Sequence, residues 1–178
     1  MHLDTQRLHI GALRDKDAAA LFAYRGDPVV ARYQGWWPAS LAETEEWIGG
    51  QATMPAPGHW YQRAIRLAGD DRLIGDMGVR LPVADEAAEF GISIAPLHQG
   101  WGYAREAVRA LLGWLFSEMK QRRVCASVDP RNQASMALLR SLGLRQEAHF
   151  RQSLQVRGEW VDDVVFALLA TEWPSAAP

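Results

Sequence analysis

Apolar residues recur along this chain with two periods, and the switches between them mark out its elements. Leu8, Ile10 and Ala12 share one face of a segment from Leu3 to Leu13, the two-residue period of a half-buried strand. The same alternation predicts strands over Trp60 to Leu67, Leu73 to Leu81 and Ala87 to Ala95, then Arg123 to Val128, Gln146 to Val156 and Trp160 to Leu169. Between the last two groups the period lengthens. From Ala104 through Val108, Leu111 and Leu115 to Met119, apolar residues return at three- and four-residue steps, which is one face of a long helix.

Punctuation supports these boundaries. Asp15 and Asp17 place acidic groups at the start of a helix that continues to Tyr24, and Asp27-Pro28 opens a short second one. Ser40 with Glu43 forms a capping box for a helix that should stop near Gly49-Gly50. A loop with Pro55, Pro57 and Gly58 follows, and turns are expected at Gly69-Asp70-Asp71 and from Pro82 to Asp85. A further helix begins near Asn132. Strands in a run, then helix, strand, helix and two strands make a mixed α+β pattern rather than a regular βαβ alternation.

Composition narrows the class. A chain of 178 residues with 48% hydrophobic content is enough for one filled core, so residues 1–173 are read as a single domain and 174–178 as a frayed tail. The net charge of -2 argues against a nucleic-acid partner. With no apolar run near the roughly 20 residues that span a bilayer and no signal-peptide pattern, the expectation is a soluble, cytoplasmic protein without a membrane partner. Cys125 stands alone in an apolar strand, as a reduced buried thiol would. The histidines show no metal-ligand spacing with one another or with Cys125, so no metal is expected. Trp36-Trp37 suits either packing, in the core or a dimer, or contact with a substrate. Glu45, Glu46, Glu159, Asp162 and Asp163 form either an acidic mouth for a cationic amine or solvated charge.

The most informative segment is Gln99-Gly100-Trp101-Gly102-Tyr103-Ala104, between the strand ended by Pro96 and the long helix. Glycines there let backbone approach a ligand, and the first-turn N–H groups of a helix are a ready anion site. A tight strand-to-helix turn is the plainer alternative. A dinucleotide fingerprint would need a third glycine where Arg105 stands, and no Gly-Lys-Ser/Thr triplet exists for a P-loop.

Gln99-x-x-Gly102-x-Ala104 resembles the acyl-CoA pyrophosphate loop of the GNAT acetyltransferase superfamily. Glu106-Ala107, the Arg123 to Val128 strand and Asn132-x-x-Ser135-x-x-Leu138-Leu139-x-x-Leu142-Gly143-Leu144 follow in the superfamily's order. Thr5-x-Arg7-Leu8-x-Ile10 and Arg157-Gly158-Glu159-Trp160-Val161-Asp162-Asp163 are similar to the RimJ/RimL-like branch. The resemblance implies a GNAT fold: a mixed, mostly antiparallel sheet of six to seven strands, helices on both faces and a splayed central strand pair.

It also implies transfer of an acetyl group from acetyl-CoA to a primary amine, of a protein N-terminus or a small molecule, directly and without a metal. By that resemblance Gln99, Gly100, Trp101, Gly102, Tyr103 and Ala104 hold the pyrophosphate, while Ile94 and Asn132 meet the pantetheine arm. Glu89 takes the position of a general base, with partnership to an arginine as its structural alternative. Leu139 fills the slot where many members carry a tyrosine acid, which leaves Ser135 as the substitute proton donor; Ser135 and Asn132 could equally be helix caps. Trp36, Trp37 and Asp162 are the substrate-side candidates. The missing tyrosine keeps open a second reading, a non-catalytic acyl-CoA-binding module. The branch resemblance also allows a homodimer.

Overall fold

The computed structural model describes residues 1–51, 56–84 and 86–174. The expectations for Pro55, for Asp85 and for residues 175–178 of the tail therefore lie outside the described residues. The chain runs β1 (Leu3–Asp4), β2 (Leu8–Ala12), α1 (Ala18–Arg25), α2 (Pro28–Ala31) and α3 (Leu41–Gly49). It continues through β3 (Trp60–Leu67), β4 (Leu73–Arg80), β5 (Ala88–Ile94), α4 (Tyr103–Ser117), β6 (Arg123–Val128), α5 (Gln133–Ser141), β7 (Arg145–Val156) and β8 (Glu159–Leu169). All strands join one sheet in the order β1-β2-β3-β4-β5-β6-β8-β7, antiparallel except where β5 meets β6.

The α+β class and the mixed sheet agree with the sequence, but the sheet has eight strands rather than six or seven. The opening segment is a hairpin, not one strand. The Leu8 N–H donates to the Thr5 hydroxyl oxygen at 2.9 Å and the Thr5 N–H to the Leu8 carbonyl at 2.9 Å, closing a turn. That turn folds Leu3 back opposite Ile10 and Asp4 opposite His9.

Helices cover both faces. The apolar stripe of α4 packs Val108, Leu111, Leu112 and Leu115 into a core with Met77, Phe90 and Phe166, and α5 adds Met136 and Leu139 to the same layer. On the other face α1 and α3 bury Leu21, Tyr24 and Ile48 against Ala64 and Leu73. The α3 cap forms with a variation. The Ser40 hydroxyl accepts from the Glu43 N–H at 3.1 Å, while the Glu43 carboxylate accepts from the Ala39 N–H, at 2.7 Å.

Charge is buried under α1. Asp76 of β4 is fully buried and accepts from the Tyr24 hydroxyl at 2.6 Å, from Arg25 Nε at 3.0 Å, and from Arg25 Nη2 and Gln62 Nε2. Burial, and then the negative charge of Asp76, push the Tyr24 phenol well above its ordinary value. Asp17 and Arg66 form a second buried ion pair between the entry to α1 and β3. Neither pair has a periodicity that would reveal it in sequence.

Removing one partner of a buried pair strands the other charge in a low-dielectric interior. Asp76→Ala is therefore expected to cost about 3–5 kcal/mol of unfolding free energy. Urea denaturation checks it, with Arg14→Ala as the reference for an exposed pair, expected to cost about 1 kcal/mol or less.

Candidate functional site

The site begins where β5 ends. Ala95 and a single 3-10 turn at Pro96–His98 carry the chain off the sheet, and Gly102 starts α4 in the left-handed region, with φ 82°. An L side chain there would be strained by about 1–2 kcal/mol. Gly102 supplies no side-chain cap, so the first-turn N–H groups of α4 lack the partner a serine or aspartate would provide. The Gln99 side-chain amide donates to the Ile94 carbonyl at 2.9 Å, tying the loop to the end of β5.

A clasp from the β1–β2 turn holds the other side of the loop. Glu106 accepts from the Thr5 hydroxyl at 2.6 Å, from the Arg7 N–H at 3.0 Å and from Arg7 Nε at 2.6 Å. Arg7 Nη1 then donates to the Trp101 carbonyl at 3.0 Å. Burial alone would raise the Glu106 carboxyl, but the hydrogen bonds from Thr5 and Arg7 outweigh it and hold the group below its ordinary range.

Beside this loop the sheet opens. β5 stays paired to β4 as far as Ile94, yet it meets β6 only at Ala88 opposite Val124 and Glu89 opposite Cys125. Beyond Glu89 the two parallel strands diverge, leaving the β6-facing side of Gly91 to Ile94 outside any ladder. The expected splayed central pair is present.

A pocket of about 610 Å³ fills the space between the β5 end, the Gln99 to Ala104 loop and α5. It continues into a smaller cavity of about 120 Å³ within the splay, sharing Ile92, Asn132, Ser135 and Leu138 as walls. The shape suits a long, phosphate-bearing ligand: free helix N–H groups at one end, an open strand edge along the middle.

Most of the donor-side residues expected from the sequence converge here. Ile94, Gln99, Gly100, Gly102, Tyr103 and Ala104 line the large pocket. Asn132 and Ser135 face both cavities. Asn132 is also the cap of α5, its side-chain oxygen accepting from the Ser135 N–H at 3.1 Å. Leu139, in the tyrosine slot, turns into the core at 3% exposure. Trp101 is 66% exposed and outside the lining.

The remaining candidates sit elsewhere. Glu89 binds Arg80 at 3.1 Å and lines neither cavity, so its position favours the arginine-partner alternative over the base. Its hydrogen bond raises the Arg80 guanidinium, and its charge adds to the burial that pushes the Cys125 thiol up to about 11. Trp36 stacks on Trp47 with centroids 4.1 Å apart, a packing role, and Trp37 lies under the Arg157 guanidinium at 4.0 Å. Asp162 accepts from the Gln152 N–H at 2.9 Å and pairs with His149 at 2.7 Å, which holds an irregular stretch of the β7–β8 ladder. Its carboxylate is therefore engaged within the hairpin.

The structure also adds groups that the sequence reading passed over. Ser93 is buried, its hydroxyl has no hydrogen-bond partner, and it lines the large pocket. Strand alternation around Ile92 and Ile94 was the available signal for Ser93. Metal spacing along the chain also proved an incomplete guide. Antiparallel pairing brings ligand atoms of His2, Asp4 and His9 within 4.8 Å of one another on the β1–β2 edge, where Asp4 pairs with both rings. None of the three lines the pocket.

Comparison with known proteins agrees with this geometry. Residues 7–145 match the family model of the acetyltransferase (GNAT) domain. An uncharacterized N-acetyltransferase of Bacillus subtilis (strain 168), YnaD, is 30% identical over 97% of this chain and 99% of its own length. The [ribosomal protein uS5]-alanine N-acetyltransferase of Escherichia coli (strain K12) is 32% identical over 49% of this chain and 45% of its own length. Among solved structures, a GNAT-family acetyltransferase from Bacillus anthracis superposes with a TM-score of 0.87 at 26% identity, covering 97% of this chain and 100% of that one.

Gly102→Val is expected to weaken CoA binding at least about tenfold, a loss of roughly 1.4 kcal/mol, read by isothermal titration. Undiminished affinity would remove the loop from the donor site. The Arg7–Glu106 clasp predicts an acid dependence. A carboxyl held low stabilises the fold above its ordinary value of 4.5 and loses that contribution as pH falls through the lowered one. The difference in melting temperature between wild type and Glu106→Gln should therefore narrow below pH 4.5.

Proposed function

The chain belongs to the GNAT acetyltransferase family, which moves an acetyl group from acetyl-CoA to an amine, and we propose that its acceptor is the α-amine of a peptide or protein N-terminus. The observation that carries the donor half is the left-handed Gly102 at the uncapped start of α4, beside a strand pair that parts after Glu89. Backbone N–H groups of the first helical turn suit a pyrophosphate, and the open β5 edge suits an amide-bearing arm.

When bound, acetyl-CoA supplies the activated acetyl group. The chain's own residues orient, exclude water and manage protons. Ile92, Ser93 and Ile94 form a wall along which the arm can lie extended, and Leu138 of α5 shields it from the opposite side. Ser135, facing both cavities, is the group we assign to the departing thiolate: as the C–N bond forms and the C–S bond breaks, its hydroxyl donates a hydrogen bond to the sulfur and relays to it the proton that the attacking amine releases. Positioning supplies much of the rate in such a transfer, so a single weak acid suffices.

The acceptor must attack as a neutral amine. Among the described residues no carboxylate lines the large pocket. In the smaller one the sole acid, Asp129, is bound by Arg131 through Nε at 3.0 Å and Nη2 at 2.6 Å. His98 lines the large pocket from the turn before the Gln99 to Ala104 loop, at the end suited to the pyrophosphate. A site with no free carboxylate along its strand edge favours an amine that is already partly neutral. An α-amine titrates near 8 and a lysine near 10.4, so at pH 7.5 the neutral fraction differs by more than about a hundredfold. The uS5-alanine acetyltransferase, among the relatives, acts on an α-amine by its name. These two observations support the N-terminal reading over a lysine side chain.

Transfer should be measured with a thiol reagent on short peptides, one with a free α-amine and a blocked lysine, the other reversed. We expect acetylation of the first, with kcat/KM rising up to about pH 8 as the acceptor loses its proton. Acetylation of lysine alone would overturn the acceptor assignment. CoA binding with no transfer to any amine would favour the acyl-CoA-binding module. Ser135→Ala should lower kcat by about a hundredfold while leaving the affinity for acetyl-CoA intact.

A further inference from the structure

A further cleft, of about 280 Å³, lies between α2 with the residue that follows it, the turn from β6 to α5 and the β7–β8 hairpin. Its polar lining is Arg32, Arg131, Arg157 and Glu159. Three guanidinium groups against one carboxylate stand out in a chain whose net charge is -2. Of the two readings left open for Glu159, an acidic mouth or solvated charge, this lining does not favour the first.

We propose that this cleft is the acceptor's anion subsite, and that the preferred acceptor carries a carboxylate within the first few residues after its reactive amine. The inference rests on the acetyltransferase reading and specifies its substrate class. Tyr33 links the two regions. It lines both donor-side cavities, and its hydroxyl donates to the Arg131 carbonyl at 3.5 Å. An amine entering the splay past Tyr33 leaves its following groups over Arg32 and Arg157.

Those two side chains are prepared for an anion. Arg157 Cζ stands over the Trp37 ring at 4.0 Å, and Arg32 Cζ over the Tyr33 ring at 5.4 Å. Among the described residues, neither makes a salt bridge. A ring beneath a guanidinium restrains it from one side without using its N–H donors, which can fork onto a carboxylate. Arg131 differs, since Asp129 already occupies it. Its remaining effect is to anchor the turn. This gives Trp37 a place near substrate that is indirect: it supports the arginine instead of touching the acceptor.

Two sources share the carboxylate chemistry, an acidic side chain early in a peptide and the α-carboxylate of a free amino acid. We commit to the peptide, because a cleft beyond Tyr33 suits a group set back from the amine. The test uses the full chain saturated with CoA. Short peptides with a free N-terminal serine, followed by either aspartate and glutamate or two lysines, are titrated calorimetrically alongside free serine, and each is then assayed for transfer with acetyl-CoA.

The acidic peptide should bind at least about tenfold more tightly than the basic one, as charge-assisted hydrogen bonds allow. The preference should fade in high salt. Arg32→Gln with Arg157→Gln should abolish it through KM, leaving kcat and the affinity for CoA unchanged; unchanged CoA affinity also reports an intact fold. Arg157→Glu should reverse it.

Equal affinity for both peptides, absence of binding by either, tighter binding of free serine than of the acidic peptide, or a preference that survives in the double variant each overturns the proposal. Failure of the enzyme reading looks different. In that case the acidic peptide binds preferentially and no acceptor is acetylated.

Discussion

A carboxylate that never meets solvent organises the acceptor half of this protein. Asp76 lies in β4, and its desolvation is tolerable because Tyr24, Arg25 and Gln62 converge on it. Two of these donors belong to α1, so the helix is registered against the sheet by hydrogen bonds that have direction as well as by apolar contact. Arg25 extends the effect. Its Nη1 donates to Gln34 at 2.9 Å and its guanidinium lies 5.9 Å from the Trp36 ring, which in turn stacks on Trp47 of α3. One buried charge thereby fixes the segment that walls the pocket.

The same charge adjoins the donor half. Asp76 is the cross-strand partner of Ser93, and Gly75 beside it has no room for a side chain, since an added Cβ would meet the Ser93 carbonyl at 2.4 Å. β4 therefore grips β5 closely up to Ile94, and β5 cannot swing over to follow β6. Divergence after Glu89 is a consequence of that grip together with the departure of the chain at Pro96. The Ser93 hydroxyl, buried without a partner, sits where the grip and the opening meet. An unsatisfied buried hydroxyl costs about 1–3 kcal/mol, a penalty that a ligand's polar atom in the pocket would relieve.

How much of this was legible follows from where each feature stores its information. Elements were readable because period and punctuation are local: the strand from Arg123 to Val128 and the cap at Asn132 fall where expected. The opening hairpin was not, because Leu3 to Leu13 carries one apolar face whether the chain runs straight or turns at Thr5. Position without surroundings also leaves a role open. Glu89 occupies a suggestive place in its strand, but Arg80, its cross-strand partner on β4, claims its carboxylate.

The two halves of the site differ in legibility for a physical reason. As proposed, the donor is held largely by backbone, and backbone can approach a phosphate only if glycines stand at fixed places before a helix, so the requirement is written into the short run from Gln99 to Ala104. Acceptor recognition, as proposed, has no such constraint. Arg32 and Arg157 come from separate segments, and only the folding of the α2 end and the β7–β8 hairpin onto the β6–α5 turn makes them neighbours. Any charged residue on those segments could be brought there without disturbing the core. A chain can thus keep its donor loop while its acceptor changes, and the acceptor is to be sought in the sign of the charge around the second cleft.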